Sequence, residues 1–187
     1  NSREGLAAPD LQLLFAPASS SIKVVGKLDE DPGMTLSICP VRPQSRGTVM
    51  AESPDPMEKA KIRPNYFGVE DDIHVMLSGV KQGQKIFAQP ALQEYSIGEA
   101  VPGKPMETAE ECVEFAKQRG VTIYHPVGTC KMGTDVMSVV DPRLKVIGVE
   151  GLRVIDASIM PGVTTGNTNA PSIMIGEKGA AMILEDN

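Results

Sequence analysis

At Tyr124–Gly133 the chain reads Tyr-His-Pro-Val-Gly-Thr-Cys-Lys-Met-Gly, and this stretch constrains the fold more than any other. Pro126 locks its own φ and pushes the residue before it out of the helical region, so His125 is predicted to stand at an extended, rigid corner. Gly128 and Gly133 make the segment that follows a turn-rich loop. A second stretch, Thr164–Lys178, reads Thr-Thr-Gly-Asn-Thr-Asn-Ala-Pro-Ser-Ile-Met-Ile-Gly-Glu-Lys. The two are predicted to meet in space. Local physics also admits a plainer description, a Pro/Gly loop and a capped core helix that share no chemistry.

The first part of the chain reads as sheet. Asp10–Phe15 opens with apolar/polar alternation, and Met34–Cys39 and Thr48–Ala51 are similarly short segments. Pro40–Gly47 between them is too rich in Pro and Gly to be other than a turn, and Glu52–Pro56 is a further loop. A helix is predicted from about Asp72 to Ala88, with Ile73, Met76, Leu77, Val80 and Phe87 on one face, Asp71 or Asp72 as cap and Pro90 beyond its end. Gly79 and Gly83 weaken that helix by about 1 kcal/mol each relative to alanine. His74 lies off the apolar stripe and reads as a surface histidine.

Thr108-Ala109-Glu110-Glu111 has the form of a capping box, with an apolar stripe at Ala109, Cys112, Val113 and Ala116 and a stop at Gly120. Val121–Tyr124 then reads as a short strand delivering His125. Leu144–Val146 and Leu152–Ile155 read as strands around the turn Gly148–Gly151. The tail Ser172–Leu184 is apolar on most sides and reads as a buried helix, with Pro171 at its first position and Asn169 or Ala170 at the cap. Short strands joined by turns and followed by helices predict an α+β fold with an antiparallel sheet.

Composition removes several function classes. Trp is absent and aromatic residues make up 4% of the chain, which leaves no stacking platform for single-stranded nucleic acid. The net charge of −6 contains no basic block to follow a phosphate backbone, so no nucleic-acid partner is expected. No apolar run approaches the roughly 20 residues of a membrane span. Cys39, Cys112 and Cys130 form neither a disulfide framework nor a zinc site, and no metal is expected. Three reduced thiols lean toward a reducing, cytoplasmic compartment. The chain opens at Asn1 without an initiator Met or a signal-peptide pattern, which reads as a cleaved fragment or one subunit of a split protein.

A helix start aims unpaired N–H groups and partial positive charge at whatever stands before it. No charged side chain lies between Thr164 and Ser172, so that charge is free to meet an anion. Phosphate, a carboxylate or an electron-rich ring edge satisfies the same donors, and the pattern alone does not choose among them.

His125-Pro126-Val127-Gly128-Thr129-Cys130-Lys131-Met132-Gly133 resembles the active-site histidine segment of the glucose–methanol–choline (GMC) flavoprotein oxidoreductases. Leu152–Pro161, running on through Thr164–Pro171, is similar to that family's C-terminal signature. Arg42–Gly47 and Pro64-Asn65-Tyr66 resemble it further upstream, in the same order. The resemblance covers nearly the whole chain.

It implies FAD as cofactor and oxidation of a small alcohol. His125 would take the hydroxyl proton, and Asn169 would be the second catalytic residue, its amide donating to the alkoxide. Tyr124, Asp156, Ala157, Asn169 and Ala170 would contact the cofactor. Residues 1–120 would form a substrate-binding domain, an antiparallel sheet with helices, and residues 121–187 the histidine loop and the closing segment of the FAD-binding α/β domain. Cys130 would support packing, Arg42 and Arg46 would anchor their loop, and Lys131 would be solvated. The Gly-x-Gly-x-x-Gly unit with which such proteins begin is absent from this sequence. The resemblance therefore implies a C-terminal part that works with an N-terminal FAD-binding half as its partner. Two alternatives stand beside alcohol oxidation: a lyase that binds flavin without reducing it, and a flavin-free binding module that kept the fold.

Overall fold

The computed structural model describes residues 1–19 and 27–186. The chain forms two compact units, Asn1–Pro40 with Phe67–Val121, and Val41–Tyr66 with Thr122–Asn187. The chain passes between the units three times, after Pro40, Tyr66 and Val121. The segment Val41–Tyr66, however, packs with the C-terminal residues, so the first unit is discontinuous in sequence.

In the first unit β1 (Leu11–Ala16) pairs antiparallel with β2 (Thr35–Pro40), Leu13 opposite Ile38 and Phe15 opposite Leu36. In the second unit β3 (Thr48–Met50) pairs antiparallel with β4 (Lys61–Arg63). The antiparallel pairing matches expectation, but the described residues arrange it as two separate two-stranded ladders. Strand β4 was not legible because three residues are too few to establish a period.

Helix α1 (Glu70–Phe87) begins earlier than its pattern indicated. Its cap position is Val69, without a side-chain cap bond, so Asp71 and Asp72 are first-turn residues and not the cap. Together with Glu70 they complement the helix dipole, and Asp71 is paired with Arg3. The buried positions are Asp72, Val75, Gly79, Val80 and Gly83. The two glycines that weaken the helix intrinsically are thus contact points. A Cβ on Gly79 would lie 2.8 Å from Leu11 Cδ1, and one on Gly83 would lie 3.0 Å from Leu36 Cδ2. His74 is exposed, 3.3 Å from Glu70 across one turn.

Pro90 lies beyond the end of α1, as expected, and opens a single-turn helix α2 (Pro90–Gln93). Helix α3 (Ala109–Arg119) starts at the predicted capping box, in which Thr108 Oγ1 accepts from Glu111 N–H. The Glu111 carboxylate accepts from the backbone N–H of Glu107 and pairs with Lys104, which holds it down at about 2. Cys112 from α3 is buried with Val80 and Met106.

The core of the second unit is Val140, Leu144, Ile159, Met160 and Ile175, with Val127, Ile155 and Ala157 against it. Val121–Tyr124 is not a strand: it has no ladder partner among the described residues, and Val121 and Tyr124 are exposed. The segments 144–146 and 152–155 contribute single bridges, Val140 to Val146 and Lys145 to Arg153, instead of strands. Loop bonds hold this region, with Val146 N–H donating to Leu152 O and Val154 N–H to Leu144 O. Thr168 occupies the cap position of helix α4 (Asn169–Glu185), so Asn169 is its first residue and Pro171 its third. Only Ile175 and Gly179 are buried along it, while Ile173 and Met174 are exposed at 61% and 57%. The expected all-round burial is therefore absent from this chain's own packing. Among the described residues no helix is long and apolar enough to cross a membrane.

Candidate active site

The loop that carries His125 is tied down on both sides of the imidazole. Tyr124 has φ 62°, in the left-handed region that costs a side-chain-bearing residue about 1–2 kcal/mol. Its N–H donates to Thr122 Oγ1 at 3.0 Å. Pro126 stiffens the next step, and Val127 packs on the core. Gly128, at φ 90°, passes so close to Met160 that a Cβ would lie 3.3 Å from its carbonyl oxygen. Beyond it, Cys130 N–H donates to Ser158 O at 3.0 Å and Met132 N–H to Ile159 O at 2.8 Å. These bonds join the loop to the short 3-10 turn Ala157–Ile159, whose cap Asp156 accepts from Ser158 N–H at 2.7 Å. The predicted corner at His125 is therefore held by a strained residue before it and by two backbone bonds after it.

The imidazole is half-buried and contacted at both nitrogens. Its Nε2 lies 2.6 Å from Asn167 Nδ2, and its Nδ1 lies 3.0 Å from Thr168 Oγ1. The two stretches separated by 43 residues thus come together, as the sequence suggested. The amide on the imidazole is that of Asn167. No hydrogen bond joins Asn169 to His125 among the described residues; Asn169 is exposed at the first position of α4, beside exposed Ala170. Their different surroundings follow from where the helix begins. With Thr168 at the cap, the residue before it still belongs to the loop and turns back to the histidine, whereas Asn169 is already helical.

Thr168 is buried, at 5% exposure, and its carbonyl accepts from both Ser172 N–H at 3.0 Å and Ser172 Oγ at 2.6 Å. Its side chain makes no cap bond to α4, and the first turn of that helix contains no acidic residue. The helix start is consequently electropositive and open. Asn167 and Thr168 were missed in the sequence, where Asn167, Thr168 and Asn169 offer equivalent polar groups and only the helix boundary separates them.

Other polar residues fall where side-chain chemistry placed them. Arg46 donates from Nη1 to the carbonyls of Pro43, Gln44 and Ser45 at 3.0, 3.1 and 3.1 Å, which makes it a loop anchor. Lys131 pairs with Asp135 at 2.8 Å. Cys130 is partly exposed and free, as are the buried Cys39 and Cys112.

Residues 43–176 match the family model described as GMC oxidoreductase. The chain is 45% identical over 177 residues to an alcohol dehydrogenase [acceptor] of Pseudomonas putida, covering 94% of this chain and 32% of that protein. It is 42% identical over 186 residues to an oxygen-dependent choline dehydrogenase of Brucella melitensis, covering 98% and 34%. Among solved structures, it superposes on pyridoxine 4-oxidase from Mesorbium loti with a TM-score of 0.82 at 28% identity, covering 92% of this chain and 34% of that one. A formate oxidase variant from Aspergillus oryzae superposes with a TM-score of 0.76 at 31% identity, covering 82% and 27%. The chain spans about a third of the length of the relatives it matches.

Proposed function

The chain belongs to the GMC oxidoreductase family, and on that premise we propose that it is the C-terminal part of an FAD-dependent enzyme oxidising the CH–OH group of a small alcohol. The observation that carries this reading is the imidazole of His125, gripped at both nitrogens beside the uncapped start of α4. The family's cofactor is FAD, and when bound it supplies the acceptor for hydride from the carbinol carbon. The residues present fit it. Asn169 and Ala170 are exposed at a helix start whose positive end has neither a side-chain cap nor a first-turn acid, which suits an electron-rich ring edge. Ala157 and Asp156 lie on the turn to which the histidine loop is bonded, and together with Tyr124 they complete the proposed cofactor contacts.

His125 acts as general base through Nε2, the nitrogen that faces the amide of Asn167. An imidazole transfers protons near neutral pH, and a positioned base contributes about 10²–10⁴-fold. As the substrate hydroxyl loses its proton, negative charge develops on its oxygen. The amide of Asn169, exposed at the start of α4, donates to that oxygen in this reading, and the Asn167 amide stands 2.6 Å from the base. Two residues after the base, Val127 packs on the core that contains Ile175 and so anchors the loop. The first unit, with β1, β2, α1 and α3, is the proposed substrate-binding layer.

Completion of this site calls for the N-terminal FAD-binding half, in the same polypeptide or as a partner chain. In the complete flavoprotein, His125→Ala is expected to lower turnover of an alcohol by on the order of 10²-fold or more with FAD content retained. Unchanged turnover at full FAD content would overturn the assignment.

A further inference from the structure

We infer that Thr168 is a positioning residue: its hydroxyl accepts the Nδ1 proton of His125 and so fixes Nε2 as the bare, basic nitrogen. The inference deepens the reading of His125 as the base and rests on it. It starts from the two contacts of the ring. Asn167 reaches Nε2 through Nδ2 at 2.6 Å, and an amide nitrogen donates but does not accept. A nitrogen that receives this bond presents a lone pair. Neutral imidazole carries one N–H, which is then on Nδ1, where Thr168 Oγ1 stands at 3.0 Å.

Three features make Thr168 a fixed acceptor. It is buried, so water is a poor substitute. Its backbone is held by two bonds from Ser172 to its carbonyl. Its hydroxyl is also withheld from the task a threonine at a helix cap ordinarily performs. Thr108, at the cap of α3, gives its oxygen to the N–H of Glu111. Thr168, at the cap of α4, makes no such bond and turns to the imidazole instead. The second ring nitrogen of a histidine commonly sets which nitrogen does the chemistry, and here that setting comes from the same helix start that supplies the open N–H groups.

The opposite arrangement is equally concrete. With the Asn167 amide turned over, its oxygen would take a proton from Nε2, and Thr168 would donate to Nδ1. His125 would then begin the reaction with no free lone pair at Nε2.

Nitrogen-15 NMR of the complete flavoprotein labelled at its histidine rings separates the two, with the His125 signals identified by their loss in His125→Gln. Expected are a protonated Nδ1 and a bare Nε2 in the neutral ring. Thr168→Val should mix the tautomers and lower kcat on the order of 10–100-fold with KM little changed, by analogy with partners that fix the tautomer of a metal-bound histidine. Thr168→Ser should restore both the tautomer and kcat. A proton on Nε2 in the unaltered protein overturns the inference, and so does a Thr168→Val protein with unaltered tautomer and kcat. Should Thr168→Val not fold, the spectrum of the unaltered protein still decides. Since the spectrum reads the proton's location and not the rate, a failure here is distinct from a failure of His125 as base.

Discussion

Alanine is a better helix former than glycine, yet Gly179→Ala in α4 is predicted to destabilise the protein. A Cβ at position 179 would lie 2.4 Å from Ile155 Cγ2 and 2.9 Å from its Cδ1. Carbon atoms rest about 3.5–4.0 Å apart, so more than about 1 Å has to be absorbed by Ile155 or by a shift of the helix. Overpacking of this kind costs about 1–3 kcal/mol. The helix-propensity gain of about 1 kcal/mol offsets part of it, leaving a net loss of up to about 2 kcal/mol. Gly176→Ala, less than a turn earlier, is the control. Nothing lies within 4 Å of its Cβ, so the propensity gain of up to about 1 kcal/mol stands alone. Urea unfolding of the two variants should therefore move the midpoint in opposite directions. Ile155→Ala in the Gly179→Ala background should recover stability relative to the sum of the single changes, since contacting residues couple by about 0.5–3 kcal/mol. Equal stabilisation by the two glycine substitutions would refute the reasoning. The contact matters for the site because α4 carries Thr168 at its start, and a displacement near 1 Å in a catalytic array can cost about 10²-fold in rate.

Three other outcomes follow from the same contacts. Thr108→Ala removes the hydroxyl that accepts from Glu111 N–H and should cost about 1 kcal/mol in thermal or urea unfolding; no loss would mean the capping box contributes nothing. At the C-terminal end, Asp186 is bonded by Lys145 at 2.6 Å and also pairs with Arg153 and Arg143, which hold its carboxyl down at about 2. A carboxyl depressed in the folded state stabilises above its ordinary value near 4 and loses that contribution as pH falls toward 2. The stability gap between the unaltered protein and Asp186→Asn should thus be constant above about pH 5 and narrow on acidification toward pH 2; a gap undiminished at pH 2 would contradict it. For the thiols, burial pushes Cys39 and Cys112 up in pKa, while Cys130 is partly exposed. A thiol reagent should label Cys130 first in the native state, as read by mass spectrometry of the digested protein, and prior labelling of Cys112 would be the contrary result.

What the sequence made legible was local. The capping box at Thr108–Glu111 is set by residues three apart, and it starts α3 where the pattern places it. The corner at His125 follows from one proline. Convergence of the histidine loop with the Thr164–Lys178 stretch was also readable, through the resemblance of both to one family. What was not legible depended on boundaries or on distant partners. The helix starts at Asn169, ahead of the expected Pro171, which puts Thr168 at the cap and leaves Asn167 in the loop against the imidazole. Gly79 and Gly83 read as weak points in a helix, because a sequence shows what glycine costs and not what its missing side chain admits. Here it admits the side chains of β1 and β2. The segments 144–146 and 152–155 have strand composition but form isolated bridges, since the turns that surround them leave no length for a ladder.

The central claim is that His125 takes the proton that lets an alcohol give up hydride, and reduction of the bound FAD reads that step alone. The complete flavoprotein and its His125→Ala variant, matched for FAD content, would be mixed with a primary alcohol in the absence of oxygen and the yellow colour followed in a stopped-flow instrument. The unaltered protein is predicted to bleach, and the variant to bleach on the order of 10²-fold more slowly or beyond. Equal bleaching rates in the two proteins, or no bleaching by any alcohol in the unaltered one, would contradict the account.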